Sequence, residues 1–406
     1  MTENKKLVPK RRFKEFKNSN AWEQRKVKDL FSITRGYVLA ANKTSETKSE
    51  EMVYPVYSSQ TKDKGLMGYY NEYLYEDAIT WTTDGANAGT VNYRPGKFYC
   101  TNVCGVLLSK EIDADKMMSA ALNNVAKNHV SYVGNPKLMN NVMADIDIFI
   151  PKDKQERKLI SEYFTKIDNL ITLNQRKLEK IKSLKAAYLS EMFPAEGERM
   201  PKRRFKAFTN AWEQRKLVEL SNFITKGATP TTYGFKWEED GIPFFRNDSI
   251  KDNRFIFGEF SYISEDANTA LIRSEVRSGD ILVAITGDIG KVGIVPENIE
   301  KANINQHMAK VRIKKDAYPY FVYQFLSTDQ MQEKYKRIKT GISMPQLSLE
   351  QIRDIDITLP SMEEQKKIGD YFENLENLIT LHQRNLEKLH KIKNAYLNEM
   401  FVGGER

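Results

Sequence analysis

The segment "ITLNQRKLEKIKSLKAAYLSEMF", residues 171–193, returns as "ITLHQRNLEKLHKIKNAYLNEMF", residues 379–401. The similarity extends upstream, so that 22 of 38 positions in 156–193 and 364–401 are identical. Two shorter segments also return: "PKRRFKEF" (9–16) as "PKRRFKAF" (201–208), and "AWEQRKVKDL" (21–30) as "AWEQRKLVEL" (211–220). Repetition on this scale indicates a tandem duplication.

The long repeated segments are predicted to be amphipathic helices that pair as an antiparallel coiled coil. Apolar residues recur at alternating three- and four-residue steps, which is the spacing of a coiled-coil seam. The predicted seam is Ile160, Tyr163, Ile167, Leu170, Ile181, Leu184 and Tyr188, with Ile368, Tyr371, Leu375, Leu378, Leu389, Ile392 and Tyr396. Phe164, Ile171 and Leu178, with Phe372, Ile379 and Leu386, widen the stripe, so a further surface must cover it.

Polar residues interrupt the seam at corresponding positions, Asn174 and His382. A polar residue in a seam can specify register at some cost in stability. The alternative, a solvated gap in an imperfect seam, is equally compatible with the sequence. Each helix of about 38 residues would be about 57 Å long at 1.5 Å per residue.

The blocks between the repeats share almost no identities, yet each combines strand patterns with a helical stretch. Each ends on a short apolar strand closed by proline, "DIDIFIP" or "DIDITLP". The sequence therefore predicts an α+β protein with two mixed α/β blocks, each followed by a long helix, and pseudo-two-fold symmetry. The predicted segments are a basic N-terminal segment 1–20, block 21–154, helix 155–193, linker 194–210, block 211–362, helix 363–401 and tail 402–406.

Composition excludes several classes of protein. A net charge of +9 is compatible with a polyanionic partner, although many soluble proteins are as basic. The two cysteines, Cys100 and Cys104, form neither a disulfide framework nor a zinc pattern. The start of the chain lacks a secretory h-region, and no apolar run is long enough for a membrane helix. We therefore expect a soluble, cytoplasmic protein.

Motifs for catalysis are missing. There is no G-x-x-x-x-G-K-[ST] loop for ATP, no G-x-G-x-x-G, no H-E-x-x-H and no G-x-S-x-G. The stretch "GDIGKVG" (287–293) has the wrong spacing for a phosphate loop and is typical of a tight turn. The sequence therefore predicts no catalytic residues, no metal site and no cofactor on this chain.

Several segments together resemble the DNA-sequence-specificity subunits of type I restriction-modification enzymes. They are the doubled "AWEQRK", the proline-ended strands that lead into each helix, the long helix itself, and "TGDIGKVGIV" and "GISMPQLSLEQIRDIDITLP" of the second block. The corresponding first-block stretch, "VGNPKLMNN" (133–141), departs from that last segment. The resemblance covers nearly the whole chain.

The resemblance implies that each mixed block is a target-recognition domain for one half of a split, asymmetric site in double-stranded DNA. It also implies that the helices bind two methyltransferase subunits and, through the complex, the restriction and translocation subunits. S-adenosylmethionine, ATP and Mg²⁺ would then act on those partners. A coiled-coil scaffold and a self-contained DNA-modifying enzyme are the alternatives.

Arg and Lys are suited to reading guanine, and Asn and Gln to reading adenine. Loops near strand ends that combine these residues with glycine or aromatics supply the candidates for DNA contact. In the first block they are Arg35, Tyr37, Ser58, Ser59, Gln60, Lys62, Thr82, Thr83, Asn87 and Arg94. In the second they are Lys226, Thr229, Arg246, Asn247, Thr286, Lys291, Asn305, Gln306, His307, Ser343 and Gln346. Asp84 and Asp288 could accept from cytosine or form turns.

Overall fold

A computed structural model describes residues 7–59, 62–256, 258 and 260–402. The chain forms two compact units. Unit 1 combines Met1–Arg176 with Arg384–Arg406, and unit 2 is Lys177–Gln383. Both boundaries fall within long helices, so the units do not coincide with the segments expected from sequence order.

Unit 1 is built on a six-stranded sheet of order β2-β7-β5-β6-β3-β4, with a separate antiparallel pair, β1 and β8. Apart from the parallel β3–β6 pair, neighbouring strands are antiparallel. The strands are β1 (Glu23–Lys26), β2 (Phe31–Arg35), β3 (Tyr54–Tyr57), β4 (Leu66–Tyr70), β5 (Tyr75–Thr82), β6 (Val91–Cys100), β7 (Cys104–Ser109) and β8 (Asp147–Ile150). The helices are α1 (Val27–Leu30), α2 (Lys116–Val125), α3 (Asn140–Asp145) and α4 (Lys154–Glu191), the last of which continues into unit 2.

Unit 2 has two four-stranded sheets, β10-β19-β16-β17 and β14-β11-β18-β15, and the two-stranded pairs β12-β13 and β9-β20. The strands are β9 (Glu213–Lys216), β10 (Ser221–Lys226), β11 (Ile242–Phe245), β12 (Ile250–Lys251), β13 (Arg254–Phe255), β14 (Ser261–Ile263), β15 (Glu275–Val276), β16 (Ile281–Ala284), β17 (Val292–Ile294), β18 (Ala302–Ile304), β19 (Met308–Ile313) and β20 (Asp356–Leu359). The helices are α5 (Leu217–Leu220), α6 (Glu265–Ala270), α7 (Pro319–Leu326), α8 (Asp329–Ile338), α9 (Leu349–Arg353) and α10 (Met362–Met400), whose last part belongs to unit 1.

The long helices pair antiparallel within each unit. In unit 1 the rings of Tyr163 and Tyr396 lie 5.0 Å apart, and Asp168 is 2.7 Å from Lys393. The residue number therefore rises along α4 while it falls along α10. Unit 2 has the same arrangement: Lys185 pairs with Glu376, and the next turn stacks Tyr188 against Tyr371 at 5.4 Å.

The buried stripe of each helix is offset from the predicted seam. The buried apolar residues in α4 are Ile160, Phe164, Ile167, Ile171 and Leu178, and in α10 they are Ile368, Phe372, Leu375, Ile379 and Met400. The seam prediction is wrong for Leu170, Leu184 and Leu378, which are 47%, 38% and 43% exposed. The reason is that each long helix packs against the mixed block in addition to the other long helix. Phe164, for example, belongs to the same core as Trp22 and Leu107.

The repeated "PKRRF" segments fasten the start of each repeat to a long helix. Arg12 binds the fully buried Glu156 with two nitrogens: Nε donates to Oε1 at 2.5 Å and Nη2 donates to Oε2 at 2.6 Å. Arg204 binds Glu364 in the same way, at 2.6 and 2.7 Å. Planar two-point pairing of this kind is among the stronger protein hydrogen bonds, and it explains why both arginines recur. The segment predicted as a basic N-terminus is therefore part of the fold.

A second carboxylate attaches each mixed block to its helix pair. In unit 1 Asp168 pairs with Lys393 and also with Lys116 at the start of α2. In unit 2 its repeat equivalent, Glu376, pairs with Lys185 and accepts hydrogen bonds from α7. The two carboxylates lie 208 positions apart (376 − 168), the offset that relates the repeated helices (364 − 156).

Asn174 donates from Nδ2 to the carbonyl oxygen of Leu170, 2.8 Å away, within its own helix. Asn174 belongs to unit 1 and His382 to unit 2. The role of these two residues in register stays a prediction.

Candidate nucleic-acid interface

Loops from five parts of unit 1 are joined by backbone hydrogen bonds into one surface, which we call the loop edge of unit 1 (residues 35–37, 58–59, 83–87, 101–103 and 131–137). The amide of Gly36 donates to Cys104 at 3.0 Å, and that of Thr101 donates to Tyr57 at 2.9 Å. Three further bonds complete it: Tyr37 N to Cys100 O, Thr83 N to Val103 O and Gly85 N to Pro136 O, at 3.1, 3.0 and 2.9 Å.

Unit 2 repeats these bonds with other side chains, and its loop edge comprises residues 226–229, 246–249, 285–291, 305–307 and 340–346. Gly227 donates to Met308 at 3.1 Å, and Asn305 donates to Phe245 at 3.1 Å. The remaining bonds are Ala228 N to Ile304 O, Ile285 N to His307 O and Gly287 N to Pro345 O, at 3.1, 2.8 and 3.0 Å. The backbone frame is thus common to both units, whereas the side chains that it presents differ.

One glycine in each loop edge is required by close packing. A Cβ on Gly36 would lie 2.1 Å from the carbonyl oxygen of Cys100, and a Cβ on Gly227 would lie 2.1 Å from that of Ile304. Backbone atoms cannot yield as a flexible side chain can, so both positions exclude any larger residue. This explains why "TRG" at 34–36 and "TKG" at 225–227 match within blocks that otherwise share little.

Most predicted contact residues lie on the two loop edges. Exposed or partly exposed members in unit 1 are Arg35, Tyr37, Ser58, Ser59 and Asn87. Those in unit 2 are Lys226, Thr229, Arg246, Asn247, Thr286, Lys291, Asn305, Gln306, His307, Ser343 and Gln346. Gln60 lies outside the described residues, and of Lys62 only the backbone is described, in a turn that begins there.

Arg94, Thr82 and Thr83 require a correction, because all three side chains are buried. Arg94 is 6% exposed, donates to Thr80 and to the carbonyl oxygen of Lys64, and stacks 3.6 Å over the ring of Tyr57. Burial lowers its pKa despite the neighbouring phenol. Its guanidinium therefore holds the sheet together and is not presented to a ligand. Arg94 lies on a strand, where alternate side chains face inward, and a search confined to loops did not take this into account.

The sequence search missed Asn102, which is exposed in the turn between β6 and β7. Its counterpart in unit 2 is Gln306, which was among the candidates. The amide nitrogen of Gln306 lies 3.1 Å from Nε2 of His307, and its carbonyl oxygen accepts from Thr229. Gln306 is therefore held in one orientation. The two cysteines flanking the "TNV" turn in unit 1 could have marked Asn102 as a turn residue.

The aspartates on the loop edges are engaged within the protein. Asp84 accepts from the hydroxyl of Thr83 at 2.8 Å and pairs with Lys137 at 3.8 Å. Asp288 pairs with Lys291 at 2.6 Å. These contacts favour the turn-forming role of both carboxylates over direct acceptance from cytosine.

Neither cysteine is placed for chemistry. Burial raises the pKa of the Cys104 thiol to about 11, and it raises that of Cys100 further. Buried thiols with raised pKa values are unreactive. Among residues 7–59, 62–256, 258 and 260–402, no group of three or more His, Cys, Asp or Glu side chains is arranged to hold a metal ion. No helix in that part of the chain is long and apolar enough to cross a membrane.

Each long helix also carries leucines whose side chains are exposed at the surface instead of packed in a core. Leu170 and Leu173 lie one turn apart on α4, and both are nearly half exposed. Leu378 and Leu381 occupy the equivalent positions on α10 with similar exposure. The duplication has therefore preserved an apolar helical surface in two copies.

Comparison with known proteins agrees with this architecture. A family model described as the type I restriction modification DNA specificity domain matches residues 19–183 and again residues 210–391. Because the two matches cover most of the chain, the protein belongs to the family of type I restriction-modification DNA specificity proteins.

Individual relatives span nearly the full length. The MjaVIII specificity subunit of Methanocaldococcus jannaschii is 22% identical over 94% of this chain and 92% of its own length. The putative specificity subunit S.MpnORF507P of Mycoplasma pneumoniae is 27% identical over 85% and 86%. Among solved structures, a type I S subunit from M. genitalium matches with a TM-score of 0.73 at 18% identity, covering 97% of this chain and 99% of that one. This last likeness establishes the fold.

Proposed function

We propose that this chain is the specificity subunit of a type I restriction-modification complex, and that each loop edge reads one half of a bipartite DNA site. The observation that carries the proposal is the shared backbone frame with different side chains. Reading by contacts to base edges requires a constant scaffold on which only the contact residues change. Two such scaffolds joined through long helices are suited to two unlike half-sites.

The loop edges carry cations suited to binding affinity and amide side chains suited to base specificity. Exposed Arg35 in unit 1 and Lys226 in unit 2 occupy the same position, the last residue of β2 and of β10. Cations there can bind phosphates or guanine. Asn87, Asn102 and Gln306 are suited to adenine, and the fixed amide of Gln306 is the best oriented of these side chains.

The exposed leucines of α4 and α10 are proposed to bind the methyltransferase subunits, one per helix copy. Exposed apolar residues in the same place on both repeats fit two copies of one partner. Catalysis, S-adenosylmethionine, ATP and Mg²⁺ would then belong to the partner subunits. The chain itself would be non-catalytic, which agrees with the absence of the catalytic motifs sought in the sequence. Its proposed role on DNA would place it in the cytoplasm.

The test is an exchange of one mixed block. Residues 31–150 are replaced by the corresponding block of another family member, and methylated sites are mapped in cells with either chain. We expect one half of the modified site to change while the other half and the spacer stay the same. A change in both halves, or in neither, would contradict the proposal.

Two rivals are tested in vitro. A self-contained enzyme would methylate or cut DNA when purified alone with S-adenosylmethionine and Mg²⁺, whereas we expect no reaction until partner subunits are added. A protein-binding scaffold would not shift duplex DNA. The proposed reader should bind duplex DNA with an affinity that falls steeply with salt, because phosphate contacts release counterions.

A further inference from the structure

The loop edge of each unit carries a closed loop with an aliphatic tip. In unit 1 Ser131 and Lys137 exchange backbone hydrogen bonds of 2.8 and 2.9 Å, and in unit 2 Thr340 and Gln346 exchange bonds of 2.9 and 2.8 Å. We call residues 131–137 and 340–346 the tip loops. Five residues lie between the two paired residues in each case, although "SYVGNPK" and "TGISMPQ" share only one residue type in register, the proline.

Each tip loop is fixed at its base. Leu138 donates to Thr83 at 2.8 Å and Leu347 donates to Ile285 at 2.9 Å, and both leucine side chains are buried. In unit 1 the indole of Trp81 also donates to the carbonyl oxygen of Leu138, at 3.0 Å. The loops are therefore rigidly connected to the β-sheets beneath them, and the stretch "VGNPKLMNN" (133–141) corresponds structurally to the second block's "ISMPQLSLE" (342–350) despite the different sequence.

The third residue of each tip loop is a β-branched aliphatic side chain in full contact with solvent. Val133 is 93% exposed and Ile342 is completely exposed. Tyr132 in unit 1 and Met344 in unit 2 add further exposed apolar surface beside them. Single exposed apolar residues are common. The same position in two otherwise dissimilar loops, each fixed to the candidate interface, points to a shared ligand.

Local charge identifies the ligand. Residues 126–139 contain two lysines and a histidine but no Asp or Glu, and residues 336–347 contain two lysines and an arginine, again without a carboxylate. Lys137, Lys336 and Arg337 pair with Asp84, Glu333 and Glu196, and the exposed Lys127 and Lys339 add positive charge to the same two segments. An apolar tip in a segment with exposed cations fits a polyanion whose interior is apolar. Stacked bases behind a phosphate backbone have that character.

We infer that Val133 and Ile342 are wedges that enter between base pairs of the bound duplex, one in each half-site. This inference rests on the proposed function, since it needs each loop edge to contact DNA. Aliphatic wedges unstack a base step and kink the helix, and that deformation favours flexible pyrimidine–purine steps. Each wedge would thereby add specificity at a step that no polar side chain contacts.

The test uses the full chain co-purified with its methyltransferase subunits and a duplex that carries the site mapped by methylation. 2-Aminopurine replaces each adenine in turn, because its fluorescence rises on unstacking. We expect Ile342→Ser to weaken binding about tenfold to a hundredfold and to abolish the fluorescence rise in one half-site only. The salt dependence of binding should not change, because no phosphate contact is lost. Ile342→Leu should keep the signal, and Val133→Ser should affect the other half-site.

Ile272 provides the matched control, since it is an exposed isoleucine of unit 2 outside the loop edge. Ile272→Ser should bind within about twofold of the native chain. If Ile342→Ser also binds DNA within about twofold of the native chain and the fluorescence rise is unchanged, the proposed wedge is wrong. It is also wrong if the methyltransferase subunits are lost from the Ile342→Ser complex, because the tip would then be a protein contact. If the native complex fails to shift any duplex at low salt, the proposed function itself fails.

Discussion

Removal of the Glu376 carboxylate should separate the second mixed block from its helix pair. Glu376 and Lys185 are 7% and 9% exposed, and they pair across α4 and α10. The same carboxylate accepts from the hydroxyl of Tyr323 at 2.9 Å and from the amide of Gln324 at 3.0 Å, both on α7. The hydroxyl of Tyr320, also on α7, donates to the other carboxylate oxygen at 3.4 Å. One anion thus satisfies a buried cation and three donors of the mixed block.

The expected loss of stability depends on how deeply the ion pair is buried and not on the distance between its charged atoms. Glu376→Ala leaves the Lys185 ammonium buried without a counter-charge, which costs about 3–5 kcal/mol. The exposed pair Lys336 and Glu333 has a comparable separation of 2.7 Å, with both side chains more than 60% exposed. Glu333→Ala should therefore cost less than about 1 kcal/mol. The double variant Lys185→Met with Glu376→Leu should recover part of the loss, since a buried ion pair can often be replaced by apolar side chains. Recovery should be incomplete because the amide of Gln324 loses its acceptor.

Hydrogen exchange of the full-length chain measures this directly. Peptides from α7 should exchange faster in Glu376→Ala, by the factor that corresponds to the lost free energy of opening, and should return towards native rates in the double variant. Peptides from β5 in unit 1 serve as the internal reference. If Glu376→Ala and Glu333→Ala exchange alike, burial of the ion pair does not hold the block in place, and the reasoning is refuted.

Three further predictions concern pH and helix length. Burial alone would raise the pKa of Asp168, but Lys116 and Lys393 lower it to about 2. The advantage of the native chain over Asp168→Asn in urea unfolding, about 2 kcal/mol, should therefore be complete above about pH 5 and lost as the pH falls towards 2. Burial lowers the pKa of Lys310 to about 8, so Lys310→Met should stabilise the protein at pH 7, and that gain should shrink between pH 8 and 10.5 as the native lysine loses its proton. Insertion of four residues after Asn174, about 6 Å of helix, should lengthen the preferred spacer by about two base pairs in methylation mapping, whereas an unchanged spacer would discredit the helix as a ruler.

Local pattern was sufficient for the long helices and for the two proline-ended strands, β8 and β20. The three- and four-residue periodicity located α4 and α10, because each turn of a helix repeats within a few residues. The same pattern could not decide which face is buried. Tyr163 and Phe164 are adjacent in the chain and both are aromatic, and only the packing of the mixed block makes Phe164 the buried one.

Exposure was predicted better for candidate residues on loops than for those on strands. Arg246 and Gln306 lie where glycine, aromatic and polar neighbours indicated a loop. Arg94 has the right chemistry, but it lies on β6 with its side chain directed inward. Asn102 was missed because a three-residue turn between two strands leaves little compositional signal.

The amino-acid sequence by itself determined the duplication, the α+β class and the helix pair, since these follow from repeated or periodic residues. Its motifs also resembled those of the family that the family model matches. Only the tertiary structure decided the register in which "SYVGNPK" and "TGISMPQ" correspond, which places Val133 and Ile342 at the same exposed tip. Their equivalence is made by backbone hydrogen bonds between strand ends far apart in the chain. Backbone groups are the same in every residue except proline, so such a frame can persist while the side chains that it presents diverge.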